Sequence, residues 1–282
     1  MLRQKLRLFF SAFAVFLFFC QTQDPHHELH FTVIDVGQGL SQMARFNSLG
    51  LVWDMGSGQH MDEWFNVYNK AGKPFLQAIV ISHRDTDHSG GLQFVDSTVD
   101  WSGIIVTSIY EDTSYIKSLC KRWNKKVIMR AVCEGDTLGY LPQTCIRCIW
   151  PPSKLNESLP LHSELINRYS LVFILNFRGN DVLITSDIDS SIALNIANLY
   201  KESLDCNILI FPHHGSAGSL NRVFLGYANP EFVIISCARN NPYNHPAESV
   251  LSFLRTMGVN LRITYLDKSI FFKSNGYYWE EY

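Results

Sequence analysis

Charge is scarce in this sequence. Charged residues make up 18%, with 24 Lys and Arg against 26 Asp and Glu, for a formal net charge of −2. That balance excludes a basic coat of the kind that holds a polyanion by charge alone. A polyanionic substrate would have to be held by local groups. Long apolar runs are missing too: Leu8 to Cys20 is apolar apart from Ser11, but its 13 residues fall short of the about 20 that cross a bilayer as a helix. Cys-x-x-Cys occurs once, at Cys145 to Cys148, so a zinc ribbon built on two such pairs is excluded. Both thiols lie in a strand-like run, Thr144 to Trp150, and point to opposite faces. What is plentiful is apolar material, 46% of the residues, enough for a sizeable core in one large domain or two small ones and too much for wholesale disorder.

Arg3, Lys5 and Arg7 ahead of Leu8 to Cys20 form the charged and apolar regions of an export segment. Phe18 and Cys20 stand where small residues favour cleavage, and Phe19 before Cys20 fits a lipoprotein signal badly. Residues 1–20 are therefore read as an export signal or an uncleaved N-terminal anchor, which predicts a periplasmic or otherwise extracytoplasmic protein. Six cysteines follow, an even number that suits disulfides or buried thiols. His26, His27 and His30 beside this segment read as a solvated linker.

The rest alternates strands and helices. Phe31 to Val36 reads as a strand entering the turn Gly37-Gln38-Gly39. A hairpin, Ser41 to Phe46 and Leu51 to Asp54, ends in an aspartate. A helix from His60 to Ala71 and an apolar strand ending at Ile81 follow, and the strand runs straight into His83. After a polar stretch at 153–169 the same order returns: the hairpin Leu171 to Asp187, a helix from Asp189 to Glu202, and a strand from Asn207 to Phe211 meeting His213 and His214. Aspartate and histidine are 29 positions apart in one case and 26 in the other. This predicts two pseudo-equivalent halves converging on one site. Further strands at 232–237, 262–266 and 269–273, with helices near 219–227 and at 246–257, complete two mixed sheets packed together with helices outside.

His83, Asp85, Asp87 and His88 crowd four metal-ligand side chains into six positions at the end of a buried strand, before Gly90-Gly91. Desolvating so many acids and bases is costly unless a cation accepts their lone pairs. Two ions roughly 3.5–4 Å apart would suit the set once a bridging carboxylate joins it. Asp187 is the candidate bridge, the alternative being an N-cap of the helix that follows. Asp54, its counterpart, reads as a supporting group. Of His213 and His214, one should ligate and the other act on a leaving oxygen or an oxyanion; alignment of His213 with His83 assigns His213 to the metal. Ser216, with Gly215, opens the next helix and suits a phosphate. His245 is either a second imidazole of the site or a helix cap, and His162 a weaker ligand candidate.

Taken together, DVGQG at 35–39, SHRDTDHSGG at 82–91, Asn167 to Val172, LITSD at 183–187, PHHGS at 212–216 and NPYNHP at 241–246 resemble the metallo-β-lactamase-fold domain of ComEC-type competence proteins, over residues 30–275. The resemblance implies an αββα sandwich with a dinuclear centre at the edge of its sheets. It also implies an extracytoplasmic nuclease or phosphodiesterase acting on incoming DNA beside a membrane channel. His214, His245, Asn167 and Ser216 would be its catalytic set, and His83, Asp85, Asp87, His88, Asp187 and His213 its metal ligands. Asn167 stands in the region where the wider superfamily has a separate histidine ligand, and Asp85 where it has a histidine. The oxygen-rich shell leans toward Mn²⁺ or Mg²⁺, with Zn²⁺ also suited. Ser186 replaces the usual glycine before Asp187, which bears on loop geometry. With no multi-helix channel in the chain, the catalytic domain alone is expected, its channel and oligomeric state unspecified. Two rival readings stay open: a β-lactam, lactone or thioester hydrolase on the same fold, and a non-catalytic DNA-binding or assembly module.

Overall fold

A computed structural model describes residues 28–95, 98–122, 126–154 and 167–282. The export segment, His26, His27 and His162 lie outside the described residues. The first six strands are β1 (Leu29–Val33), β2 (Gln42–Phe46), β3 (Leu49–Trp53), β4 (Phe75–Val80), β5 (Ile104–Ser108) and β6 (Ile128–Val132). Next come β7 (Thr137–Leu138), β8 (Thr144–Trp150), β9 (Val172–Phe177), β10 (Asn180–Ile184), β11 (Ile208–Ile210), β12 (Phe232–Ile235) and β13 (Asn260–Ile263). The chain then returns to the first sheet through β14 (Ile270–Ser274) and β15 (Trp279–Glu281), so that sheet reaches past residue 275.

The first sheet has the order β15-β14-β1-β2-β3-β4-β5-β6 and the second β13-β12-β11-β10-β9-β8-β7. Within each, a hairpin pairs antiparallel and the following strands add in parallel: β2-β3 then β4, β5 and β6; β9-β10 then β11, β12 and β13. On the other side of each hairpin the pairings are antiparallel, β14-β1-β2 matching β7-β8-β9. The expected internal repeat is present in seven strands of each sheet, with β15 the one strand lacking a counterpart.

The inner faces of both sheets share one apolar layer, in which Trp53 meets Phe173 edge to face at 6.4 Å and Phe46 meets Phe177 at 6.1 Å. On the outer face of the first sheet lie α1 (Met61–Lys70), which buries Trp64 and Tyr68, and α3 (Thr113–Leu119), which buries Ile116; the single turn α2 (Thr86–Ser89) separates them in sequence. Over the second sheet lie α4 (Ser190–Tyr200), α5 (Arg222–Ala228) and α6 (Glu248–Met257). This is the αββα sandwich expected from the sequence.

Local chemistry sets several boundaries. Asp189, not Asp187, caps α4, its Oδ1 accepting from the Ser191 and Ile192 amides at 2.8 and 2.9 Å, which removes the capping alternative for Asp187. The strand expected at 262–266 stops at Ile263, because the Asp267 carboxylate accepts the Ile263 amide at 2.7 Å and folds the chain into α7 (Thr264–Asp267). His30 is no linker residue: it lies in β1, with Nδ1 2.9 Å from the Tyr282 hydroxyl. The six described cysteines are free thiols, four of them buried, with Cys145 exposed and Cys148 buried on opposite faces of β8. Among the described residues no helix is long and apolar enough to cross a membrane.

Candidate metal centre

Asp54 and Ser82 fix the start of the ligand-rich turn. As the chain leaves β4, the Ser82 amide and hydroxyl donate to the two oxygens of the buried Asp54 carboxylate, both at 2.8 Å. The backbone then closes one helical turn, α2, in which the Asp85 carbonyl accepts the His88 amide at 3.0 Å. Two glycines let neighbouring segments press against it. A Cβ on Gly91 would stand 2.1 Å from the Met55 carbonyl oxygen, and one on Gly39 would stand 2.4 Å from that of Asp87. Gly91 thus serves close approach.

Imidazole orientation follows from the nitrogen facing away from the centre. His88 Nδ1 donates to Asp54 Oδ2 at 2.7 Å, and His214 Nδ1 donates to the Ser236 carbonyl at 2.9 Å. His83 Nδ1 lies 3.0 Å from the Ser82 hydroxyl. Each of these contacts turns Nε2 inward, as carboxylate and carbonyl partners do for metal-ligating histidines. From the second half, Asp187 is the third residue past β10, with Ser186 before it in the left-handed region at φ +48°. Its Oδ1 lies 3.2 Å from His88 Nε2, and its Oδ2 lies 3.4 Å from His214 Nε2. His214 Nε2 is also 3.3 Å from Asp87 Oδ2. One donor atom from each of Asp87, His88, Asp187 and His214 therefore lies within 4.8 Å of every other.

The donor set fits a cation. Nε2 of His83, His88 and His214 and Oδ1 of Asp187 are buried without a hydrogen-bond partner, because the neighbouring charged atoms are close but out of line. Four such atoms in one place are costly unless an ion takes their lone pairs. The charges are mutually adjusted as well. Burial opposes ionisation of Asp187, yet His88 and His214 hold its carboxyl well below the usual range. Burial likewise disfavours a charged His88, but Asp187 and Asp54 outweigh it and hold His88 well above an ordinary imidazole; the same balance, through Asp187 and Asp87, raises His214 to about 10. Positive charge is favoured at this point of the molecule, whether proton or metal supplies it.

The other expected site residues are arranged around this group. His83 is 1% exposed, and its ring centroid lies 4.1 Å from that of His88. Asp85 Oδ2 is 3.5 Å from His83 Nε2. His213, assigned to the metal from the sequence, is part-exposed, with Nε2 3.8 Å from Asp187 Oδ2, and His214 takes the inner place instead. The reason is local: both residues adopt left-handed conformations, at φ +51° and +55°, so the repeat does not set which ring turns inward. His245 sits two residues ahead of the N-cap of α6, its ring centroid 5.8 Å from that of His213. Ser216 does not open a long helix; it caps a 3-10 turn, Ala217–Ser219, and α5 starts at Arg222. The Asn167 carbonyl accepts the Ser170 amide at 3.2 Å, and Leu171 donates to the Ser82 carbonyl at 3.2 Å, so this segment borders the centre. No hydrogen bond ties the Asn167 side chain to the ligand group among the described residues.

Sequence reasoning missed three supports. Ser236 fixes His214 through a backbone carbonyl, which no residue type announces. The Glu111 carboxylate accepts the Arg84 amide at 3.0 Å, far away in sequence. The Ser186 hydroxyl donates to that of Ser82 at 2.7 Å and joins the two halves; its presence in place of glycine was the available signal.

No family model matches the chain. It is similar to competence protein ComA of Neisseria gonorrhoeae, 28% identical over 251 residues, which cover 88% of this chain and 33% of that protein. It is also similar to ComE operon protein 3 of Bacillus subtilis, at 23% identity over 88% of this chain and 33% of that one. The chain thus spans about a third of the length of these curated relatives. Among solved structures, the metallo-β-lactamase-fold protein YhfI of Bacillus subtilis superposes with a TM-score of 0.58 at 13% identity, covering 87% of this chain and all of that one. Zn²⁺-bound PqqB of Methylobacterium extorquens gives 0.53 at 8% identity, over 83% and 97%. The chain has the metallo-β-lactamase fold, with a buried His and Asp group able to hold metal. In sequence it resembles one particular branch, the metallo-β-lactamase-like domain of ComEC-type competence proteins.

Proposed function

We propose that the protein is a metal-dependent phosphodiester hydrolase that acts on DNA outside the cytoplasm, in DNA uptake. The observation that carries this reading is the group of half-buried Asp87 with buried His88, Asp187 and His214, drawn from both sheets, in which His88 Nε2, Asp187 Oδ1 and His214 Nε2 are left unpaired. These four would hold one divalent ion, and His83 and Asp85, with Asp187 shared, a second; Mn²⁺ suits the mixed nitrogen and oxygen set, with Zn²⁺ and Mg²⁺ also able to fill it. Such ions supply activated water near neutral pH and stabilise charge developing on a phosphoryl group.

The chain's own residues do the rest. Asp54 and the Ser236 carbonyl keep Nε2 of His88 and His214 directed at the centre. His213, on the open side of Asp187, is placed to pass a proton to the leaving oxygen from its protonated form; burial, only partly offset by Asp187, lowers its pKa and disfavours that form, so the step should gain as pH falls. His245 stands behind it. Ser216 is the hydroxyl available to a phosphate oxygen beside them. The competence relatives support a role in DNA uptake; DNA as the substrate, and a membrane channel or membrane association as the setting, complete the proposal. The export segment at 1–20 agrees with an extracytoplasmic place.

Purified protein given Mn²⁺ should cleave DNA or a generic phosphodiester, and Asp87→Ala should lose that activity. Equal inertness of wild type and variant in Mn²⁺, Mg²⁺ and Zn²⁺ would end the proposal.

A further inference from the structure

An exposed aromatic ring stands beside the centre on a rigid loop. Tyr243 is 62% exposed, yet one face of its ring is stacked on His245, with centroids 5.6 Å apart and planes 26° from parallel. His245 in turn meets His213 edge to face at 5.8 Å, and His213 reaches Asp187 at 3.8 Å. Contacts therefore run unbroken from the tyrosine to the carboxylate shared by the centre. Exposed tyrosines are ordinary in themselves. Tyr277, Tyr278 and Tyr282 are also exposed, but belong to the first sheet's edge hairpin around β14 and β15.

What distinguishes Tyr243 is how firmly its loop is held. Asn241 Oδ1 accepts the amides of Tyr243 and His245 at 3.2 and 2.9 Å. Its Nδ2 donates to the carbonyls of Ala238 and His245 at 2.8 and 2.6 Å. Asn244 is held in the left-handed region at φ +54°, and His245 Nδ1 is buried without a hydrogen-bond partner. A preordered loop that presents the second face of an aromatic ring to solvent loses little entropy when a flat partner settles on it. A substrate of many phosphates finds no basic coat here, since the net charge is −2. Affinity for a nucleic acid must then draw on contacts that do not depend on charge, and base stacking is the main one.

We infer that Tyr243, backed by His245, is a stacking platform for a nucleobase of single-stranded DNA whose neighbouring phosphodiester lies at the metal centre. The inference rests on the phosphodiesterase reading above and makes it specific: bases in a duplex already have both faces covered, so only an unpaired strand offers one to Tyr243.

The test compares two single-stranded substrates of equal length, a thymidine oligonucleotide and a base-free tetrahydrofuran phosphodiester chain, cleaved in Mn²⁺ by the full-length wild type, Tyr243→Ala and Tyr243→Phe. The wild type should prefer the oligonucleotide. Tyr243→Ala should reduce that preference in kcat/KM about tenfold or more, mostly through KM, and Tyr243→Phe should keep it. If the wild type cleaves both chains and Tyr243→Ala keeps the wild-type preference, the platform is wrong while the hydrolase reading stands. If the wild type cleaves neither, the hydrolase reading falls and takes the platform with it.

Discussion

In the first half of the sandwich the hairpin β2-β3 delivers Asp54, whose carboxylate accepts from the Ser82 amide, the Ser82 hydroxyl and His88 Nδ1. In the second half the equivalent hairpin β9-β10 delivers Asp187, whose Oδ1 has no hydrogen-bond partner and faces His88. The strand pairings around the two residues are the same, but Asp54 directly follows β3 whereas Asp187 is the third residue past β10, and these positions alone do not say which of them can ligate. Saturation does. Three donors occupy Asp54 and make it a fixed support, whereas Asp187 keeps lone pairs free and is the one suited to a cation. The duplicated frame supplies a saturated, supporting aspartate once and an aspartate free to ligate once, and the Ser186 to Ser82 hydroxyl contact ties the two strand ends together.

The comparison is broken most sharply by swapping which aspartate is lost. Asp187→Asn should abolish tight metal uptake and lower diester cleavage by about 10³-fold or more, the scale on which losing a group central to charge stabilisation is felt. Asp54→Asn should weaken metal binding by only about 10–100-fold, because it loosens His88 without removing a ligand. Metal analysis and kinetics on the two variants read this directly. Equal losses would erase the distinction. Next in size is the histidine pair. His214→Ala should lose bound metal, while His213→Ala should keep it and cleave about 10²-fold or more slowly, as expected for a lost proton-transfer group. The reverse pattern would restore the assignment made from the repeat.

The charge balance gives a prediction in pH. His214 is raised from 6.5 unfolded to about 10 folded, burial being outweighed by Asp187 and Asp87. Its contribution to stability is therefore fully present below pH 6.5 and lost as pH rises through about 10. Chelated protein should melt at progressively lower temperature across that window. Added metal should stabilise more as pH rises, since bound imidazoles must be deprotonated. A melting temperature of the chelated protein that is flat across the window would contradict this. The smallest effect is expected at the joint between halves. Ser186→Gly relieves a left-handed serine but removes its hydrogen bond to Ser82, and these offset to a net change below about 1 kcal/mol by denaturant unfolding.

Much of this was legible in residue order. Strands that end in aspartate or run into histidine declared the repeat, and the crowding of His83, Asp85, Asp87 and His88 declared the centre. Illegible were features set by backbone torsion and long-range contact. His213 and His214 are identical in type and both left-handed, so nothing in their order says which ring is buried. The Ser236 carbonyl and the Glu111 carboxylate act across the fold on residues remote in sequence. The end of β13 likewise depends on one side chain, Asp267, returning to cap the Ile263 amide.

Calorimetric titration of Mn²⁺ into chelated wild type, Asp87→Ala and Asp187→Ala most directly tests whether one ion is shared between the sheets. Stoichiometric uptake by wild type, lost in both variants although the two residues come from opposite halves, is the predicted result. Unchanged uptake by Asp187→Ala, or none by wild type, would contradict it.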